Sequence, residues 1–150
     1  MDEFFKGLSD RLIYISHEEV SGDTIIIRCQ IELGTAFCPD CGKASNKVNR
    51  RYKRAIKDIP FGEKKVILDI KFNSYFCVDN ACFKYAFTEY PDFVEPFSTR
   101  TKRLNKRILE LSAGSSGIWA EGYIKRNLAT VSDTTINRII KKNAKAGHKA

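Results

Sequence analysis

The chain has no apolar run approaching the ~18 residues that a membrane-spanning helix needs. Its first residues, Met1-Asp2-Glu3-Phe4-Phe5-Lys6-Gly7, carry neither the basic flank nor the apolar stretch of a secretory signal. A cytoplasmic chain with no membrane partner is therefore expected. Histidine is scarce, and neither His17 nor His148 has a partner at ligand spacing. No internal repeat is present. With 150 residues, 43% of them hydrophobic and 29% charged, the composition excludes disorder, collagen and a disulfide-dense miniprotein. One domain or two small ones can bury a core without cross-links. Structural disulfides are rare in the cytosol, where closely spaced cysteines more often bind metal.

What is there in excess is positive charge, and it is unevenly placed. The formal net charge is +8, from 26 Lys and Arg against 18 Asp and Glu. Residues 1–30 carry a net −3, residues 31–60 +4, residues 61–97 −2 and residues 98–150 +9. A basic segment of that density suits a polyanion, because neutralising phosphates releases counterions and drives association. The plainer reading, equally open on charge alone, is that the cations keep helix surfaces soluble.

Two periodicities divide the chain. From Thr24 to about Phe87 apolar residues alternate: Thr24 to Leu33 is β-branched and half alternating, and Val66, Leu68, Ile70 and Phe72 share one face. Phe83, Tyr85 and Phe87 alternate again. Period-two runs of this kind predict half-buried antiparallel strands. Gly34, Pro39 to Gly42 and Pro60-Phe61-Gly62 supply turns. After Pro91 and Pro96 the period becomes helical. Ser98 or Thr99 can cap a helix carrying Leu104, Ile108 and Leu111 on one face. Gly114-Ser115-Ser116-Gly117 ends it, a second helix is predicted over 118–128, and a third runs from Ser132 to about Lys142. Phe4, Phe5, Leu8, Leu12 and Ile13 form a loose stripe suggesting a short N-terminal helix.

The expected fold is α+β: a small antiparallel zinc-ribbon-like β section followed by a three-helix helix-turn-helix section. Its parts are an N-terminal helix and leading strand (1–35), a zinc-binding β domain (36–92), a helix-turn-helix domain (98–143) and a tail (144–150).

The strongest motif is a pair of cysteine loops. Cys38-Pro39-Asp40-Cys41-Gly42 is a CxxC closing on glycine, and Cys77-Val78-Asp79-Asn80-Ala81-Cys82 is its C-x4-C counterpart. Four thiolates from two short loops satisfy tetrahedral zinc. In a CxxCG turn backbone N–H groups can point at sulfur, and glycine permits the positive φ that aims them. A redox pair lacks the strand-then-helix context it needs, and four unrelated buried thiols are the other competing reading, disfavoured by two tight pairs. Zinc bound by Cys38, Cys41, Cys77 and Cys82 has no open coordination position, so it is structural rather than catalytic. Cys29, mid-strand and without a paired cysteine, is read as an ordinary side chain.

The last third reads as helix, tight turn, helix. Val131 plugs the turn, Ser132 caps the third helix, and Ile136, Ile139 and Ile140 face inward. Ser132, Thr134, Thr135, Asn137, Arg138, Lys141 and Lys142 are then candidates for DNA contact, short polar groups reaching bases and cations holding phosphates. Arg100, Lys102 and Arg103 could track the backbone. A plain three-helix bundle is the competing reading. A second basic run, Arg50-Arg51-Tyr52-Lys53-Arg54, is either a phosphate-contacting loop or a solvated turn.

CPDCG, the RRYKR run, the IPFG turn, an alternating strand ending at Cys77, the C-x4-C loop, Phe87-Thr88-Glu89 and the helix-turn-helix pattern follow in that order. Over roughly residues 36–142 the series resembles the N-terminal part of the bacterial insertion-sequence transposases usually called the ISL-three family. The resemblance implies that Cys38, Cys41, Cys77 and Cys82 take the four ligand positions and Ser132 to Arg138 the start of the recognition helix. It implies binding of duplex DNA at terminal inverted repeats. Ala129 stands where the family often has glycine before the turn. Family members continue into an RNase H-like catalytic domain whose acidic triad holds two divalent ions. Only Glu110, Glu121 and Asp133 follow residue 97 here, so a DNA binder that is not an enzyme is expected.

Two other functions remain open on the sequence: a freestanding zinc and helix-turn-helix transcriptional regulator, and a zinc-ribbon protein-interaction module. Expected partners are double-stranded DNA and, depending on context, a second copy or the rest of a transposase. No small-molecule substrate is expected, and the place of action is the bacterial nucleoid.

Overall fold

The computed structural model describes residue 5, residues 7–113 and residue 122 of the chain. Seven strands and one bounded helix lie among them: β1 (Leu12–Val20), β2 (Thr24–Ile31), β3 (Ala36–Phe37), β4 (Ala44–Ser45), β5 (Val48–Phe61), β6 (Lys64–Phe76), β7 (Ala86–Thr88) and α1 (Lys102–Ser112). The main sheet runs β1-β2-β6-β5, with β7 added to the far end of β6, while β3 and β4 pair as a separate ribbon. The described residues form a mainly β fold with a single helix, which overturns the expected α+β architecture with its three-helix section. The second and third helices foreseen there, and the tail, lie outside the described residues.

Alternation builds the core. Ile25, Ile27, Cys29 and Ile31 of β2 and Val66, Leu68, Ile70 and Phe72 of β6 are buried on one face, joined by Ile56 of β5. The main sheet is mixed, because β2 and β6 run parallel with Ile27 opposite Leu68. This departs from the all-antiparallel arrangement the alternation suggested: alternation reveals which side chains are buried, not the direction of a neighbour. The segment set apart as 1–35 thus contributes β1 and β2 to the sheet that holds β5 and β6.

Two local expectations are also corrected. Leu12 and Ile13 belong to β1, an edge strand hydrogen-bonded to β2, not to an N-terminal helix. The run Arg50 to Lys57 is neither loop nor turn but the middle of the long strand β5. It pairs with β6 through a two-residue turn in which Gly62 has a φ of +63°. That conformation costs glycine little.

Helix α1 is capped by Thr101, two or three residues later than expected, whose hydroxyl accepts from the Leu104 N–H at 3.2 Å. Leu104 and Ile108 are buried as foreseen, with Ser112 in place of half-buried Leu111. The helix lies against β5. The chain entering it is stitched to that strand by Lys57 N–H to Thr99 C=O and Thr101 N–H to Lys57 C=O. Below the cap, the fully buried Asp58 accepts from Thr101 Oγ1 at 2.7 Å and Arg103 Nε at 2.9 Å. The carboxylate offsets a cation that would otherwise face the positive end of the helix dipole. Among the described residues, no helix is long and apolar enough to cross a membrane.

Candidate metal centre

The β3–β4 ribbon carries the first cysteine pair. Cys38 follows β3, its N–H donates to Lys43 C=O at 3.0 Å, and Gly42 N–H returns to Cys38 C=O at 2.8 Å. Gly42 closes this knuckle with a φ of +75°. The second pair flanks a loop after β6. Cys77 N–H donates to Tyr85 C=O, Cys82 N–H to Asp79 C=O, and Asp79 Oδ1 accepts from Ala81 N–H at 3.0 Å. The Ala81 bond, with Lys43 Nζ 3.3 Å from the same carboxylate, holds Asp79 below the usual carboxylate range. That salt bridge joins the two cysteine loops.

The four sulfurs of Cys38, Cys41, Cys77 and Cys82 lie within 4.8 Å of one another. Cys38 to Cys82 is 3.9 Å and Cys41 to Cys77 is 3.6 Å. A Zn–S bond of about 2.3 Å in a tetrahedron requires sulfur edges of about 3.8 Å, so the cage fits zinc. Beneath it, Ala36, Cys38, Tyr75 and Phe87 form a small core of their own. Ser45 Oγ donates to Phe76 C=O at 2.5 Å and the Gly34 N–H reaches the Tyr75 hydroxyl at 3.3 Å, tying this unit to β6.

Neighbouring groups pull the thiols in different directions. The Cys41 N–H, helped by that of Asp40 and opposed by burial, lowers Cys38 to about 7. The Asp79 N–H favours the Cys77 thiolate, but burial and the sulfurs of Cys41, Cys38 and Cys82 outweigh it and push Cys77 up to about 12. Cys82 is raised as well: burial and the Cys38 and Cys41 sulfurs overcome the Lys84 N–H. Cys38 thus favours its thiolate while Cys77 and Cys82 resist theirs. A dication removes that conflict, and binding releases protons.

The remaining candidate residues are scattered. Arg103 is engaged by buried Asp58, and Lys102 lies 3.8 Å from Glu95. Arg100 donates from Nε to Asn105 at 2.9 Å. Arg50 stands over the Tyr52 ring, and Arg54 stands over Phe72 and donates to Ser98 C=O. Arg51 donates to Asn73 Oδ1 at 3.0 Å, and Lys53 is exposed. Ser132, Thr134, Thr135, Asn137, Arg138, Lys141 and Lys142 lie outside the described residues. Sequence reasoning missed the supporting roles of Asp79 and Lys43. An Asp two residues after a loop cysteine is the signal for the first, since such a side chain caps its own turn.

Residues 34–82 match the family model described as the zinc-finger of transposase IS204/IS1001/IS1096/IS1165. No curated protein and no solved structure matches the chain. The matched segment contains all four clustered cysteines. It is a zinc-ribbon region of the kind found in those transposases, and its cofactor is a structural Zn2+.

Proposed function

We propose that the chain is the DNA-holding part of an insertion-sequence transposase, binding duplex DNA at the terminal inverted repeats of its element. The observation that carries this reading is the four-cysteine cage inside the segment similar to a transposase zinc-finger. The +9 of residues 98–150 supplies the charge a phosphate backbone needs. In this reading the chain binds, and strand cleavage is not assigned to its residues. The zinc holds shape and takes no part in chemistry.

The test is a gel shift and footprint with the zinc-loaded chain on duplexes carrying the element ends, a promoter and a scrambled sequence. The expected result is protection of the inverted repeats, lost when a chelator removes the metal. Protection of a promoter alone would move the reading to a freestanding regulator. No shift at low salt, where phosphate contacts are strongest, would sink it.

A further inference from the structure

Several described cations sit beside a carboxylate. Arg11 pairs with Glu89, Arg28 with Glu18 and Asp69, Lys43 with Asp79, Lys64 with Glu19 and Arg103 with Asp58. One row of cations on the sheet lies apart from these pairs. On the sheet face opposite the core, β5 presents Arg51, Lys53, Ala55 and Lys57, and β6 presents Ile67, Asp69, Lys71 and Asn73. Lys53 and Lys71 are direct cross-strand partners. Like charges directly opposite destabilise a sheet, and among the described residues neither lysine is within ion-pair distance of an acid. Asp69, the nearest acid along β6, is shared with Arg28 on the far side. Arg51, two residues from Lys53 and about 7 Å along the strand, extends the row.

We infer that Lys53 and Lys71, with Arg51, form a phosphate-contacting row on the open face of the sheet, and that its occupant is the backbone of duplex DNA. This rests on the DNA-binding reading above and deepens it. It divides the basic run between two faces: Arg50 and Arg54 cap the Tyr52–Phe72 stack on the core side, while Arg51 and Lys53 point the other way with Lys71. The chemistry favours phosphate over a protein. Around the row lie Ala55, Ile67 and Gln30, with no aromatic anchor of the sort that carries protein interfaces. Point cations suffice for a phosphate backbone, whose contacts position the protein without reading sequence. An anion over the row also removes the repulsion that the empty face must bear.

The test is anisotropy titration of the zinc-loaded chain and of the Lys53→Gln/Lys71→Gln double variant against inverted-repeat and random duplexes, between about 50 and 200 mM salt. The slope of log affinity against log salt should fall by about two for the double variant. Affinity should drop by the same factor on both duplexes. Thermal melting should hold or rise, because a like-charge pair has gone. Lys64→Gln, whose ammonium sits 3.0 Å from Glu19, should leave the slope nearly unchanged. The inference is overturned if the double variant keeps the parental slope, if Lys64→Gln loses as much, or if the loss is confined to the inverted repeat. A parental chain that binds no duplex overturns the DNA reading itself, and the row's occupant with it.

Discussion

Two cores meet on β6, and they are held by different forces. Phe72 belongs to the large one, built from Ile27, Leu68, Ile70, Ile56 and their neighbours. Tyr75, three residues on, belongs to the small one with Ala36, Cys38 and Phe87. The large core gathers thirteen buried side chains over the sheet. The small one gathers only four, with Cys41, Cys77 and Cys82 packed against it. Burial is thinner there, and zinc coordination adds to it. One chain therefore contains a region held by burial and a region held by burial and coordination together, joined through one strand.

The largest expected effect breaks the second region alone. Structural zinc contributes on the order of 10 kcal/mol of binding free energy in small zinc folds. Cys77→Ser, or exhaustive chelation, should abolish amide protection across residues 36–47 and 77–88, while Ile27, Leu68 and Ile70 remain protected. Hydrogen exchange read residue by residue checks this. Uniform protection after zinc loss would show that the small core needs no metal.

A smaller effect is expected on the other side. Asp58 is fully buried and carries both the Thr101 and the Arg103 contacts. Breaking a buried pair usually costs about 3–5 kcal/mol. Arg103 is 22% exposed and can turn to water, so Asp58→Ala should cost about 3 kcal/mol. The loss should appear in denaturant unfolding of the sheet and α1, with zinc content unchanged. Zinc loss at the same substitution would mean the two regions are coupled.

How much was legible follows the same division. The four metal ligands could be read, though not Asp79 and Lys43 beside them, because cysteine spacing is a local signal that survives without knowing the fold. The buried face of β6 could be read too, since Val66, Leu68, Ile70 and Phe72 alternate strictly. What failed depended on partners. Leu12 and Ile13 share the helical spacing of the N-terminal stripe, but they pair with Ile31 and Gln30 in an edge strand. The basic run reads as a loop because Arg51, Lys53 and Ala55 face away from the core, leaving its outer face without an apolar mark. The cap falls at Thr101, whose hydroxyl serves both the helix and buried Asp58, a contact no local sequence signal marks. The parallel direction of β2 against β6 leaves no trace in either strand's composition.

The smallest effect needs no substitution, because the five cysteines report on both regions at once. Cys29 is 1% exposed in the large core, and burial first, with Asp69 and Asp58 adding to it, pushes its thiol up to about 12. At neutral pH it is protonated and unreactive, since the thiolate is the nucleophile. Its raised value also means that folding stability held below about 9 is lost as pH rises toward about 12. Of the four ligands only Cys38 is also buried, and Cys41, Cys77 and Cys82 are half-buried, so their protection depends on the metal. Alkylation of the zinc-loaded chain near pH 7.5 should therefore modify essentially no cysteine. Chelation should release the four ligands to the reagent together, because the loops that position them lose their order with the metal. Denaturant should be required before Cys29 reacts. Peptide mapping of the labelled sites gives the order. Cys29 reacting together with the ligands on chelation alone would mean that loss of zinc opens the main sheet as well, and that the two cores are one cooperative unit.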